Sequence, residues 1–412
     1  MNPNVNLKVI LVGLIGNLLE WYDFAVYGYF ASIFAKQFFP SADHTLSLVS
    51  SFGAFAAGFL MRPVGAVIVG AIADKKGRKK ALNTSVLLMA VPTFIIGILP
   101  GYASIGVAAP ILLVLMRMLQ GISVGGEYTS SIVYLSECAP PNRKALFSSM
   151  SLVGSSAGIL LGSFVSGLIT QSMNETALME WGWRVPFIVG IGLAFFGFML
   201  RRDIPETYEA NQVSEPIFVS LKKQYKNILH VCGIMLAMGI SFYTVFVFLA
   251  TWLEEFVQEP RTLALQVNTI GIFVMILCIP LSGWASDRWG GKKVMMASTL
   301  ALVMFTYPIL WLMHHHNETC IEVGQILFAI IIGTGAGPIP IILSNMFPKH
   351  IRVTSVGLGY NAVYAIFGGT SPIIALWIIN KTHDDLSFAW YIIGAGLITL
   401  FSVFRLKEVS VD

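Results

Sequence analysis

The sequence predicts an all-α integral membrane protein with twelve spanning helices arranged as two similar six-helix bundles. Three observations carry this. The 412 residues are 56% hydrophobic and 12% charged, whereas an average soluble domain is about 25% charged, so the polar surface of a soluble body this size is missing. The apolar residues fall into twelve runs long enough, at about 20 residues each, to cross roughly 30 Å of hydrocarbon. A loop motif occurs twice, 213 residues apart.

The runs cover residues 7–36, 46–73, 81–101, 109–137, 146–170, 184–201, 227–253, 265–285, 293–313, 321–346, 354–379 and 388–405. The first is a span and not a cleaved leader, because Glu20 and Asp23 interrupt it and no small-residue cleavage site follows. With a cytoplasmic N-terminus, 20 of the 26 Lys and Arg residues fall on the inner side. Lys75, Lys76, Arg78, Lys79 and Lys80 follow the second run, and Arg201 and Arg202 follow the sixth. The outer loops hold Lys36, Arg184, Arg261 and Lys381, while Arg62 and Arg117 fall inside helices. Cations concentrate in cytoplasmic loops, so both termini are predicted inside. The net charge of +4 is then an orientation signal, not a nucleic-acid patch.

The polar connection 202–226 divides the chain into an N-terminal bundle, 1–201, and a C-terminal bundle, 227–412. A doubled six-helix unit is transporter architecture. In the fifth run, Gly154, Gly158, Gly162 and Gly167 predict close helix packing. The four cysteines are far apart and read as reduced core residues. His314-His315-His316 reads as a solvated outer loop, and no metal site is predicted.

After the second run, Gly70-Ala-Ile-Ala-Asp74-Lys75-Lys76-Gly77-Arg78-Lys79-Lys80 makes a tight turn. It returns after the eighth as Gly283-Trp-Ala-Ser-Asp287-Arg288-Trp-Gly290-Gly291-Lys292-Lys293. Glycines let the backbone reverse between close helices, the Asp can sit at a helix N-terminus or pair with a cation, and the basic residues hold the turn inside. Pro141-Asn-Arg143 after the fourth run is echoed by Pro348-Lys-His-Ile-Arg352 after the tenth.

The doubled loop resembles the signature loop of the major facilitator superfamily and implies its fold. In that family the loop gates the cytoplasmic side through ion pairs, which implies a gate built on Gly70, Asp74, Gly77, Arg78, Asp287 and Arg288. Gly291 stands where the family usually has Arg, which implies a weaker second gate. Tyr134-Leu-Ser-Glu137-Cys-Ala-Pro140-Pro-Asn-Arg143, Gly182-Trp183-Arg184-Val-Pro186-Phe187 and Pro205-Glu206-Thr207 resemble the sugar-porter branch. They add Glu137, Arg143 and Glu206 to the implied network. Over almost its whole length the chain resembles the metabolite:proton symporters, the group of proline/betaine, 2-oxoglutarate, citrate and shikimate transporters. This rests on Asn17-Leu-Leu-Glu20-Trp21-Tyr22-Asp23-Phe24, Arg62-Pro63-Val-Gly65, Gln120-Gly121-Ile-Ser-Val-Gly125-Gly126-Glu127-Tyr128 and Met346-Phe347-Pro348-Lys349-His350-Ile351-Arg352.

Five ionisable side chains fall within spans of the first half, Glu20, Asp23, Arg62, Arg117 and Glu127, and the second half has no counterpart. Such groups are costly at membrane depth and face the bundle interior. Three acids and two bases sum to −1, so one proton would neutralise the set. Glu20, Asp23 and Tyr27 share a face of the first helix; Arg117, Gln120, Val124, Glu127 and Ser131 share one of the fourth. At about 1.5 Å per residue, Asp23 comes level with residues 120–124, within reach of Arg117. Arg62 comes near the level of Glu20 and Glu127. Burial favours the neutral form of a carboxyl group and an adjacent guanidinium favours the charged one. Movement of Arg117 relative to Asp23 would therefore load or release a proton. The resemblance to sugar porters implies the same role for the acid of helix one and the Arg of helix four. The predicted coupling set is Asp23, Arg117, Glu20, Glu127 and Arg62, with the proton as coupling ion and no other cofactor.

Tyr27, Gln120 and Tyr128 in the first half, and Tyr243, Phe246, Trp252, Tyr360, Asn361 and Tyr364 in the second, are candidate substrate contacts. The aromatic, uncharged wall of the second half suits an apolar or quaternary-amine group. A polyanion would want several cations, and Arg117 is the one good candidate among an excess of acids, so a zwitterion fits better. The predicted activity is proton-coupled import of a small organic, proline/betaine-like solute by alternating access. The resemblance implies a monomer in the lipid bilayer of a bacterial inner membrane. The alternatives are a mono- or dicarboxylate:proton symporter and a proton-driven exporter of a drug-like or siderophore compound. The fifth helix lacks the Gly-Pro pair of the superfamily's antiporters, which points to symport. With its last residue at Asp412, the sequence is not expected to carry the coiled-coil extension of some proline/betaine relatives. No nucleophile, metal or phosphate-loop constellation suggests an enzyme.

Overall fold

The computed structural model describes residues 3–42, 44–202, 205–207 and 217–406, and among them every regular element is helical. Eleven helices are long and apolar enough to cross a membrane: α1 (Leu7–Tyr29), α2 (Ser50–Lys76), α3 (Arg78–Ile98), α4 (Ala108–Cys138), α5 (Lys144–Ser172), α6 (Gly182–Arg202), α7 (Leu221–Glu255), α8 (Thr262–Trp289), α9 (Gly291–Met313), α10 (Glu318–Asn345) and α11 (Lys349–Thr382). A shorter apolar helix, α12 (Ala389–Phe404), completes the twelve. The helices outrun the apolar stretches at their charged ends, α2 continuing through Lys75 and Lys76 and α8 through Arg288, because basic residues suit a helix C-terminus. Within the predicted linker 202–226, residues 203–204 and 208–216 lie outside the described residues.

The distribution of polarity is that of a chain dissolved in lipid. Asn17, Glu20, Asp23, Arg62, Arg117, Glu127 and Arg201 are buried, while Phe195, Leu229, Ile373, Trp377 and Phe401 face outward. Hydrocarbon cannot hydrogen-bond, so polar groups in spans must find partners inside the protein.

The contacts divide the chain into two compact units. One comprises Met1–Tyr134, Gly154–Ile217 and Lys349–Gly357. Within it α6 packs on α1 and α3, and α3 on α2. Gly154, Gly158 and Gly162 of α5 lie against the backbone of Leu14, Leu18 and Tyr22 of α1, one turn apart, where a Cβ would collide. This is the small-residue seam that lets two membrane helices approach closely. Gly167 stands outside that seam, where a Cβ would make only an ordinary contact with the Tyr29 hydroxyl.

The other unit comprises Leu135–Val153, Phe218–Pro348 and Leu358–Asp412. Here α10 packs on α8 and α9, and α12 on α7 and α9. Two of its helices contain a π turn, Thr244–Phe248 in α7 and Tyr364–Gly368 in α11, which hydropathy does not reveal.

Candidate functional site

In the first unit, α1 and α4 bring Asp23 and Arg117 together. Arg117 Nη1 donates to Asp23 Oδ2 at 2.9 Å, Gln120 Nε2 donates to the same oxygen at 2.8 Å, and Thr93 Oγ1 lies 2.8 Å from Oδ1. Gln120 Oε1 in turn accepts from Arg117 Nη1 at 2.7 Å. The guanidinium carbon lies 4.3 Å from the ring centre of Phe24, 4.4 Å from that of Tyr27 and 5.4 Å from that of Phe55, so aromatic faces cover the rest of the cation. Tyr27 is fixed by stacking on Phe34, 4.5 Å away, and by donating to Ser51 O at 3.0 Å. The pair expected from depth along the helices is therefore present. Gln120 and Tyr27, predicted as substrate contacts, are engaged by that pair and its cage. Tyr128 is buried on α4.

Glu127 has a partner that the sequence reading misses. Arg201 on α6 meets both of its carboxylate oxygens, with Nη1 3.1 Å from Oε2, and also donates to Leu82 O at 2.7 Å and Val12 O at 3.0 Å. Ser85 Oγ contacts the same carboxylate. The positive-inside pattern assigns Arg201 to a loop; the structure buries it completely and exposes its neighbour Arg202. This corrects the charge count. Glu20, Asp23 and Glu127 face three arginines, 62, 117 and 201, so the set balances without a proton instead of standing at −1. The signal lies in helical phase, because Arg201 continues the buried face of Pro186, Phe187, Gly190, Ala194 and Gly197.

Glu20 lies within electrostatic range of Glu127, Arg62 and Arg201 and has a contact with Ser123 Oγ at 3.2 Å. Arg62 is buried with its guanidinium 5.5 Å from the ring centre of Phe59.

In the second unit, Tyr243, Tyr360 and Tyr364 form one cluster, with ring centres 4.5 Å apart for Tyr360 and Tyr364 and 6.1 Å for Tyr243 and Tyr364. Gly368 leaves room for the Tyr243 ring, which a Cβ there would meet at 2.8 Å. One π turn follows directly after Tyr243 and the other starts at Tyr364; such turns are frequent at functional sites. Phe246 packs on Phe242, 5.5 Å between centres, and Asn361 is fully buried.

Trp252 belongs to a different cluster. Its Nε1 donates to Asp385 O at 2.8 Å, and its ring packs on Phe388 and His314. His314 lies 3.5 Å from the Asp385 carboxylate and His316 3.6 Å from that of Glu259, so the histidine run is tied to acids as well as solvated.

The doubled loop uses backbone groups in both units. Asp74 accepts from Val353 N at 3.2 Å, Thr354 N at 2.9 Å and Thr354 Oγ1 at 2.7 Å, at the start of the helical stretch Arg352–Val363. It also pairs with Arg78 at 3.0 Å, and Arg78 donates to Ala73 O and Lys349 O, each at 2.8 Å. Gly77 takes φ +97°, and beside it Glu206 accepts from Arg78 N at 2.7 Å and Lys79 N at 3.1 Å, capping the start of α3. In the second unit Asp287 accepts from Ala145 N at 2.8 Å and Leu146 N at 2.9 Å, and Gly290 takes φ +92°. Gly70 and Gly283 make room at matching places, against Thr354 and Leu146. Arg288 is exposed over Trp284, so the second copy holds Asp287 through backbone N–H groups instead of an Arg288 ion pair. Arg143 is within electrostatic range of Asp287, and Glu137 is half-buried near the end of α4.

The Major Facilitator Superfamily model matches residues 13–372 and 229–410. The chain is 38% identical to the alpha-ketoglutarate permease of Escherichia coli (strain K12) over 381 residues, covering 92% of this chain and 88% of the permease. It is 30% identical to the proline/betaine transporter of Salmonella typhimurium over 419 residues, covering 98% of this chain and 84% of that transporter. Among solved structures, the proton:xylose symporter XylE superposes with a TM-score of 0.78 at 17% identity, covering 98% of this chain and 96% of XylE. The human organic anion transporter MFSD10 gives 0.69 at 14% identity, covering 98% and 100%. Similarity at such identity speaks to fold alone; the matches of sequence speak to family. The chain belongs to the major facilitator superfamily, and it is a multi-pass membrane transporter, not an enzyme.

Proposed function

We propose that the chain is a proton-coupled symporter that imports a small organic solute bearing a carboxylate, by alternating access. The buried Asp23–Arg117 pair is the observation that carries this reading. Its charges hold each other and Gln120 at 2.7–2.9 Å. A proton on Asp23 cancels the attraction that holds Arg117 and frees a cation inside an aromatic cage. Coupling requires such an element, with two arrangements biased by one proton.

For the solute, a zwitterion of the proline/betaine kind is the first choice, supported by the tyrosine cluster of the second unit, whose ring faces suit a quaternary or secondary ammonium group. A dicarboxylate of the 2-oxoglutarate kind is the second. It gains from the 38% identity to the permease and from Arg201, which removes the excess of acids that argued against an anion. The proposed setting is a monomer in a bacterial inner membrane with both termini cytoplasmic.

The test is transport in proteoliposomes. Asp23→Asn should abolish proton-driven accumulation while leaving solute exchange intact; uptake against a gradient by that variant would overturn the reading. Alkalinisation of the medium outside the vesicles during uptake is expected, and the opposite sign would indicate an exporter. A thermal-shift screen against proline, glycine betaine and 2-oxoglutarate separates the two solute classes, since a ligand of the folded state raises apparent stability.

A further inference from the structure

Besides Asp74 at the loop end of α2, three acids are buried in the spans of the first unit, and their partners sort them. Asp23 receives N–H donors from Arg117 and Gln120, and Glu127 receives the guanidinium of Arg201 on both oxygens. Glu20 receives no N–H donor among the described residues. Its one hydrogen-bond contact is with Ser123 Oγ at 3.2 Å, and its Oε2 has no partner although the residue is 2% exposed.

The Ser123 contact does not favour a carboxylate either. A serine hydroxyl has one hydrogen, and the shorter contact, 2.8 Å to Ser85 O, uses it. Ser123 then turns a lone pair towards Glu20, so acceptor faces acceptor unless Glu20 itself carries the hydrogen. One turn earlier on α1, Asn17 commits its amide nitrogen to Gly13 O at 2.9 Å and Ser131 Oγ at 2.8 Å and leaves Oδ1 unmatched. Glu20 Oε2 and Asn17 Oδ1 are thus two unmatched acceptors one turn apart on α1, and an unmatched buried acceptor is costly.

We propose that Glu20 is a proton-binding site distinct from Asp23, occupied here as a neutral carboxylic acid whose O–H donates to Ser123 Oγ. Loading joins one proton from water to the carboxylate and changes its charge from −1 to 0. Glu127 on α4 favours that proton by like charge, while Arg62 on α2 and Arg201 on α6 oppose it; the Asp23–Arg117 pair lies one turn along α1 and is internally balanced. With three acids facing three arginines, a proton on Glu20 leaves the set at +1. The carboxylate of the solute meets that charge, so proton loading prepares the site for the solute, and the proton binds first. That use of the site, though not the site itself, rests on the proton-coupled reading above.

Infrared pH-difference spectroscopy on the purified full chain in lipid nanodiscs, with no solute present, tests the assignment. A protonated-carboxyl C=O stretching band is expected in the wild type, absent in Glu20→Gln, shifted in Glu20→Asp and retained in Asp23→Asn. A band that persists in Glu20→Gln, or that Glu20→Asp leaves in place, overturns the assignment. If Glu20→Gln does not fold, the shift in Glu20→Asp decides. Failure here leaves the transport result of Asp23→Asn untouched, and failure of that transport test leaves the infrared band unexplained by Asp23, so the two readings fall separately.

Discussion

Asp74 and Asp287 occupy matching places in the two copies of one loop, and each accepts two backbone N–H groups from the start of a helix. Asp74 is fully buried and adds Arg78 at 3.0 Å, with Glu206 capping the next helix. Asp287 is half-buried, and the position corresponding to Arg78 is Gly291. The backbone cap is thus the shared part of the motif, and the ion pair is an addition made in one copy. The same contrast runs through the spans, where the first half buries six ionisable side chains besides Asp74 and Arg78 and the second relies on aromatic and hydroxyl side chains. A buried pair adds little while intact but is costly to break singly, so the first copy and the first half should be the more fragile to single substitutions.

The strongest way to break that comparison is to remove one partner of a buried pair. Arg201→Met should lower stability by about 3–5 kcal/mol by stranding Glu127, and combining it with Glu127→Leu should regain much of the loss. Denaturant unfolding of the detergent-solubilised protein reads both, and an additive double variant would contradict the pairing. Next in size, Asp74→Ala should cost about 3 kcal/mol, whereas Asp287→Ala should cost about 1 kcal/mol, the usual value of a lost cap. Equal shifts in melting temperature would show that the Arg78 pair contributes nothing beyond the cap.

Glycine substitution sharpens the contrast further. At Gly290 the positive φ alone makes Ala unfavourable, by roughly 1 kcal/mol, while at Gly77 a Cβ also meets the Glu206 carboxylate. Gly77→Ala should therefore melt lower than Gly290→Ala, and in a Glu206→Ala background, which already lacks the cap, the further loss from Gly77→Ala should shrink to that of Gly290→Ala. The smallest effect belongs to Arg288→Ala, within about 0.5 kcal/mol of wild type, since its side chain is exposed over Trp284.

Hydropathy and loop charge made the spans legible, because the bilayer imposes length and composition together. Rise per residue brought Asp23 level with Arg117 without any view of the fold. Arg201 escaped because a cation at the end of an apolar run looks like a loop residue until its helical phase is checked against Gly190, Ala194 and Gly197. Arg184 escaped similarly: assigned to an outer loop, it donates to Gly97 O and Leu99 O at 3.0 and 2.9 Å, closing the end of α3. Trp252 was grouped with the tyrosines by residue type, yet type does not say which neighbours a helix face meets. The π turns had no signal in composition at all.

Those π turns have a consequence for the length of the chain. Each fits one more residue into its turn than an α-helix would, so α7 and α11 carry a spare unit of register next to the tyrosine cluster. Deleting one residue from 244–248 closes the turn into ordinary α-helix and leaves the helix on either side in its present phase, whereas the same deletion in a plain α-helix would rotate everything beyond it by about 100° and shift it by about 1.5 Å. Trp252 would then keep the carbonyl of Asp385 and Tyr243 its place beside Tyr364. A single-residue deletion, normally ruinous within a span, has here a defined place to be absorbed.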